Sequence, residues 1–117
     1  MASQKKVRQG RLRVNVTDET FEEEVLNSQA PVLVSFWASW CPACKMMQAV
    51  VERLHEQYKD KVKVLKHNID LNPKYSEQYG VYNVPTWILF ENGEVVNRRF
   101  GAMTRKQLIK LMGVDET

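Results

Sequence analysis

Cys41 and Cys44 are the only cysteines of the chain, held in the run Trp40-Cys41-Pro42-Ala43-Cys44. Two thiols three positions apart can close a disulfide, hold a metal or attach haem, and Cys-x-x-Cys alone does not choose among these. Its context narrows the choice: the apolar run Val32 to Trp37 precedes it and a helical pattern follows. At the first turn of a helix, free backbone N–H groups and the positive end of the dipole stabilise a thiolate on Cys41. Cys44 lies one turn on, on the same side but deeper. Regular helical geometry separates such Cβ atoms by about 5 to 6 Å, against about 3.8 Å in a disulfide. Closure is therefore easiest with Cys41 half outside the helix, in a bond that can open and close.

Other chemistries fit less well. A crosslink between residues so close in sequence restricts the unfolded chain very little, so a purely structural disulfide gains little. Zinc needs four ligands, and the remaining nitrogen candidates are His55 and His67. His55 would lie about 16 Å further along the helix axis. Haem attachment wants a histidine after Cys44, where Lys45 stands.

The surrounding pattern must position the pair. Leu12, Val14 and Val16 alternate with polar residues as in a half-buried strand, and Thr17 or Asp18 can cap a helix carrying Phe21, Val25 and Leu26. Val32 to Trp37 is apolar enough for a strand buried on both faces. A long helix is expected from Cys41 to Tyr58, with Cys44, Met47, Val51, Leu54 and Tyr58 inward and Glu52, Arg53 and Gln57 on its wet side. Val62 to Ile69 reads as strand and Pro73 to Tyr79 as a short helix, followed by a strand from Thr86 to Glu91. Asn92-Gly93 signals a two-residue hairpin into Glu94 to Phe100. Thr104 caps a last helix whose apolar side is Leu108, Ile109 and Met112. The order βαβαβαββα predicts an α/β fold in which a central mixed five-stranded sheet is flanked by four helices. A site at the carboxyl end of a central strand is the expected place for chemistry.

The 117 residues, 44% hydrophobic, suit one globular domain, and two cysteines cannot staple a chain lacking a core. The formal net charge of +3 is misleading, because Lys5, Lys6, Arg8, Arg11 and Arg13 precede any acid; removing those five leaves −2. Residues 1–10 read as a basic, disordered leader and 11–117 as the domain. The leader has no aromatic residue for stacking, so no nucleic-acid partner is expected. It has no apolar run of a secretory signal, and no segment approaches the roughly 20 apolar residues that cross a membrane, so the expectation is a cytoplasmic protein without membrane contact.

Phe36-Trp37-Ala38-Ser39-Trp40-Cys41, Val84-Pro85-Thr86 opening the fourth strand, and Phe100-Gly101-Ala102 closing the fifth together resemble the thioredoxin family, over about residues 12 to 112. That resemblance implies the thioredoxin fold and a thiol–disulfide oxidoreductase that reduces protein disulfides. It implies no bound cofactor, electrons from a separate thioredoxin reductase, and a monomer. Cys41 would be the attacking thiolate and Cys44 the resolving thiol. Trp40, Pro42, Val84, Pro85, Gly101 and Ala102 match the family's substrate groove, where the bond before the matching proline is cis. Pro85 by itself also reads as a simple strand opener, and Trp37 as core packing behind the disulfide.

Three sites, four residues in all, depart from the family pattern. Pro42-Ala43 stands for the usual Gly-Pro between the cysteines, and Ala49 for a kinking proline, which predicts a straighter helix. Ser35 stands where a buried aspartate usually moves the proton of the resolving cysteine, and a hydroxyl cannot act as a base near neutral pH. Lys66, which matches that aspartate's companion, then either leans toward the thiols or reaches for solvent. Ser35, Lys66 and Trp37 are thus candidate tuning residues. Two alternatives remain: a disulfide donor or isomerase of more oxidising potential, and a redox-independent binding module on the same fold.

Overall fold

The computed structural model describes residues 13–115; the expected leader, residues 1–10, and Leu12 lie outside them. The elements are α1 (Glu22–Leu26, a π-helical turn), β1 (Val32–Trp37), α2 (Pro42–Tyr58), β2 (Lys63–Asn68), α3 (Pro73–Gln78), β3 (Thr86–Glu91), β4 (Glu94–Phe100) and α4 (Arg105–Met112). The strands form one mixed sheet in the order β2-β1-β3-β4. The β1–β2 pair is parallel, and β1–β3 and β3–β4 are antiparallel.

Strand pleating sorts the side chains into two layers. Leu33 of β1, Val64 of β2 and Trp87 and Leu89 of β3 meet Met47, Val51, Leu54 and Tyr58 of α2 and Leu108, Ile109, Leu111 and Met112 of α4. Their alternate neighbours Val32, Val34, Phe36, Leu65, Ile88 and Phe90 face Phe21 just before α1, Val25 of α1 and Tyr75 of α3. Each fully buried side chain of this kind contributes roughly 1.5 to 3 kcal/mol. The Trp87 indole N–H, buried with its ring, donates to the Gly101 carbonyl at 2.8 Å. A buried donor without a partner would cost free energy.

Among the described residues the sheet has four strands where five are expected. Within the described residues the leading segment meets the outer edge of β2 through a single bridge, Asn15 beside Lys66, with Val16 N–H to the Lys66 carbonyl at 2.8 Å and Lys66 N–H to the Val14 carbonyl at 2.6 Å. A turn at Thr17 to Thr20 then leads the chain away from the edge. Nor does Asp18 cap the helix that follows it. Its carboxylate accepts from the backbone N–H groups of Lys74 (3.0 Å) and Tyr75 (3.4 Å), capping α3 instead.

The hairpin forms as expected, with Asn92 at φ 53° and Gly93 at φ 79°. A Cβ on Gly93 would meet the Leu26 carbonyl oxygen at 3.0 Å, so the turn also allows α1 to approach closely. Helix α4 opens with a capping box: the Thr104 hydroxyl accepts from Gln107 N–H and the Gln107 side chain accepts from Thr104 N–H. Helix α2 is unbroken through Ala49.

Candidate redox site

The carboxyl end of β1 runs through Ala38 into α2 and brings the two cysteines to the edge of the sheet. Cys41 is the N-cap of α2, in extended conformation at φ −100°, with Pro42 in the first turn, where its missing N–H leaves nothing unsatisfied. The two sulfurs are joined as a disulfide, with Cα atoms 5.2 Å apart. That separation lies inside the usual range of about 4.4 to 6.8 Å. Cys44 N–H donates to the Cys41 sulfur at 3.1 Å, so the helix end offers a backbone donor to the first sulfur. Both are little exposed, Cys41 at 5% and Cys44 at 2%. Position at the cap distinguishes them more than accessibility does.

Around the pair, Ala38 is buried, and Trp37, Ala43, Ile69 and Val84 pack against it. The Val84 carbonyl oxygen lies 3.6 Å from the Cys41 sulfur, and the Val84–Pro85 peptide is cis. The Pro85 carbonyl accepts from Gly101 N–H at 2.8 Å, which ties the end of β4 to the loop facing the disulfide. Gly101 has φ 100° and open space where a Cβ would stand, with Ala102 exposed beside it. Trp40 is 62% exposed, yet its indole N–H is anchored on Asp70 at 2.7 Å. Cys41, Pro42, Val84, Pro85, Gly101 and Ala102 thus form one continuous chain of contacts, with Trp40 exposed next to Cys41. Asp70 was not legible in the sequence, because a partner thirty positions away leaves no local signal.

Ser35, Lys66 and Trp37 share the sheet face beneath α2, and Ser35 and Lys66 are direct neighbours in the β1–β2 register. Ser35 is buried. Lys66 takes neither of the two courses expected of it. Its ammonium pairs with the Glu52 carboxylate at 2.9 Å and with the Gln48 side-chain oxygen, both on α2, and lies 5.4 Å from the centre of the Trp37 ring. Gln48 and Glu52 are one and two turns beyond Cys44, and that i, i+4, i+8 spacing is the signal that could have found them. The Trp37 indole N–H is buried without a partner among the described residues.

His67, on the opposite sheet face, is fully buried. Its Nδ1 is 2.9 Å from the Val16 carbonyl and its Nε2 is 3.4 Å from Asp18, without hydrogen-bond alignment. Burial lowers its pKa below the usual 6.5, partly opposed by the Val16 hydrogen bond and the Asp18 charge. His55 is buried against the Val64 carbonyl at 2.8 Å. Among the described residues no helix is long and apolar enough to cross a membrane.

The thioredoxin family model matches residues 13–113. A thioredoxin of Rickettsia bellii is 48% identical over 96 residues, covering 82% of this chain and 91% of the relative. A thioredoxin 1 of Nostoc sp. is 46% identical over 93 residues, covering 80% and 87%.

Proposed function

The chain belongs to the thioredoxin family and is a thiol–disulfide oxidoreductase with protein-disulfide reductase activity, and we propose that Cys41 attacks and Cys44 resolves. The observation that carries this assignment is the Cys44 N–H held on the Cys41 sulfur at the start of α2, which favours negative charge on Cys41. In the reduced protein the Cys41 thiolate attacks one sulfur of a substrate disulfide, and the other substrate sulfur leaves as a thiolate. Cys44 then loses its proton, attacks the Cys41 sulfur and releases the second substrate thiolate. Two electrons pass to substrate as the Cys41–Cys44 bond forms.

Trp40, Pro42, Val84, Pro85, Gly101 and Ala102 form the groove in which an extended substrate segment lies, with the Val84 backbone as its pairing edge. A thioredoxin reductase restores the dithiol, and the protein acts as a cytoplasmic monomer without a bound cofactor. Ser35 favours one variation: with a hydroxyl in place of the buried carboxylate at this position, the pair is a stronger oxidant than the usual family member, so transfer of a disulfide to a substrate is the second reading.

The test is a protein-disulfide reduction assay with chemically recharged enzyme. Replacing either cysteine by serine should abolish turnover. Turnover retained by Cys41→Ser would overturn the assignment.

A further inference from the structure

Beyond the disulfide, α4 and β4 enclose a groove of about 540 Å³ lined by Asn97, Arg99 and Phe100 of β4, Ala102 and Met103 of the connecting loop, and Gln107, Lys110 and Leu111 of α4. The pleat places it. Asn97 and Arg99 pair with Leu89 and Trp87 of β3, whose side chains face α2 and α4, so both lie on the α4 side. Gln107, Lys110 and Leu111 follow the i, i+3, i+4 rule for one helix face. Among the described residues no carboxylate lines the groove, while it holds two cations.

Among the described residues three cations pair with a neighbouring carboxylate, Lys59 with Glu56, Lys63 with Glu24 and Lys66 with Glu52. Arg99 and Lys110 have no carboxylate partner among the described residues. The Arg99 guanidinium is instead steadied by neutral oxygens, the Asn97 side chain at 2.6 Å and the Arg98 carbonyl at 2.9 Å, leaving its charge uncompensated. Arg98 points the other way and donates to the Gly80 carbonyl at 2.8 Å. The groove is also continuous with the redox site. Phe100 and Ala102 flank Gly101, whose N–H is held by Pro85, next to the Val84 carbonyl facing Cys41.

We propose that this groove docks an acidic stretch of the substrate protein close in sequence to its disulfide, with the substrate carboxylates meeting Arg99 and Lys110. The inference rests on the reading of Cys41 as the attacking sulfur and adds a substrate class to it. Phe100, 64% exposed, supplies an apolar wall beside the two charges. Contacts of this kind raise the encounter rate and weaken with salt, since exposed charges are screened over about 10 Å at 0.1 M.

The test uses the reduced full chain in single-turnover exchange with disulfide-bonded peptides. These carry three Glu, three Gln or three Lys on one side of the disulfide, in versions for either side. Hydroxyethyl disulfide serves as a small neutral reference, and tryptophan fluorescence follows the rate. The wild type should react faster with Glu than with Lys peptides, and added salt should narrow the gap. Combining Arg99→Ala with Lys110→Ala should slow the Glu peptides roughly three- to tenfold, the order expected of two exposed ion pairs. The same pair changed to glutamate should reverse the preference toward Lys peptides, with hydroxyethyl disulfide reacting as before. Equal wild-type rates for Glu and Lys peptides would overturn the inference. So would a Glu preference that both double variants keep, or an equal slowing of every substrate. Failure of the wild type to react even with hydroxyethyl disulfide would overturn the reading of Cys41 itself.

Discussion

At residue 35 a buried hydroxyl lies under α2, and the nearest fixed negative charge to Lys66 is the Glu52 carboxylate, two turns beyond Cys44. A negative charge beside the thiols raises their pKa and disfavours the reduced, thiolate form. Ser35→Asp should therefore make the disulfide more reducing, on the order of 30 mV for each pH unit by which the new carboxylate raises the attacking thiol. Glu52→Gln should act oppositely and more weakly, because it leaves the Lys66 ammonium uncompensated against Trp37. Glutathione equilibration of the three proteins measures both shifts; a Ser35→Asp potential equal to or more oxidising than wild type contradicts this view of Ser35. The two cysteines and the absence of a buried acid were legible in the sequence. The pairing of Lys66 was not, because the spacing of Cys44, Gln48 and Glu52 marks a helix face, and only the packing of β2 under α2 brings the buried ammonium to it.

Among the elements, those with a strong local signal were legible nearly to the residue. The apolar run gives β1, Asn92-Gly93 gives the β3–β4 hairpin, and Thr104 gives the start of α4. Thr104→Ala removes the capping box and should lower stability by about 1 kcal/mol in denaturant unfolding, with hydroxyethyl disulfide exchange intact. An unchanged midpoint would show that the α4 packing face alone holds the helix start. What was not legible depends on contacts across the chain: among the described residues the leading segment makes one bridge, at Lys66, and Asp18 caps α3 rather than its own helix. Asp18 also faces His67, which gives the protein a pH dependence. His67 is held below 6.5 in the fold, so the unfolded chain binds the proton first. Its contribution is complete above about pH 6.5 and is lost as pH falls from there toward the lowered folded value. Thermal melts between pH 7 and pH 5 should show this decline, and Asp18→Asn should steepen it by removing a charge that favours the protonated ring. A flatter profile in Asp18→Asn would contradict the assignment.

At the scale of the whole molecule, two helical layers clamp a sheet whose central strand ends at the N-terminus of α2, and the loop before β3 returns to the same place. That convergence makes the disulfide part of a packed cluster while the cap of α2 keeps Cys41 at its outer end. The central claim is the division of labour between the two sulfurs. It is tested most directly by mixing reduced Cys44→Ser and reduced Cys41→Ser with a disulfide-bonded protein substrate and weighing the products intact. Cys44→Ser should accumulate one stoichiometric mixed disulfide through Cys41, since attack survives and only resolution is lost, while Cys41→Ser should form little or none. Equal adducts on both variants, or an adduct confined to Cys44, would contradict the account.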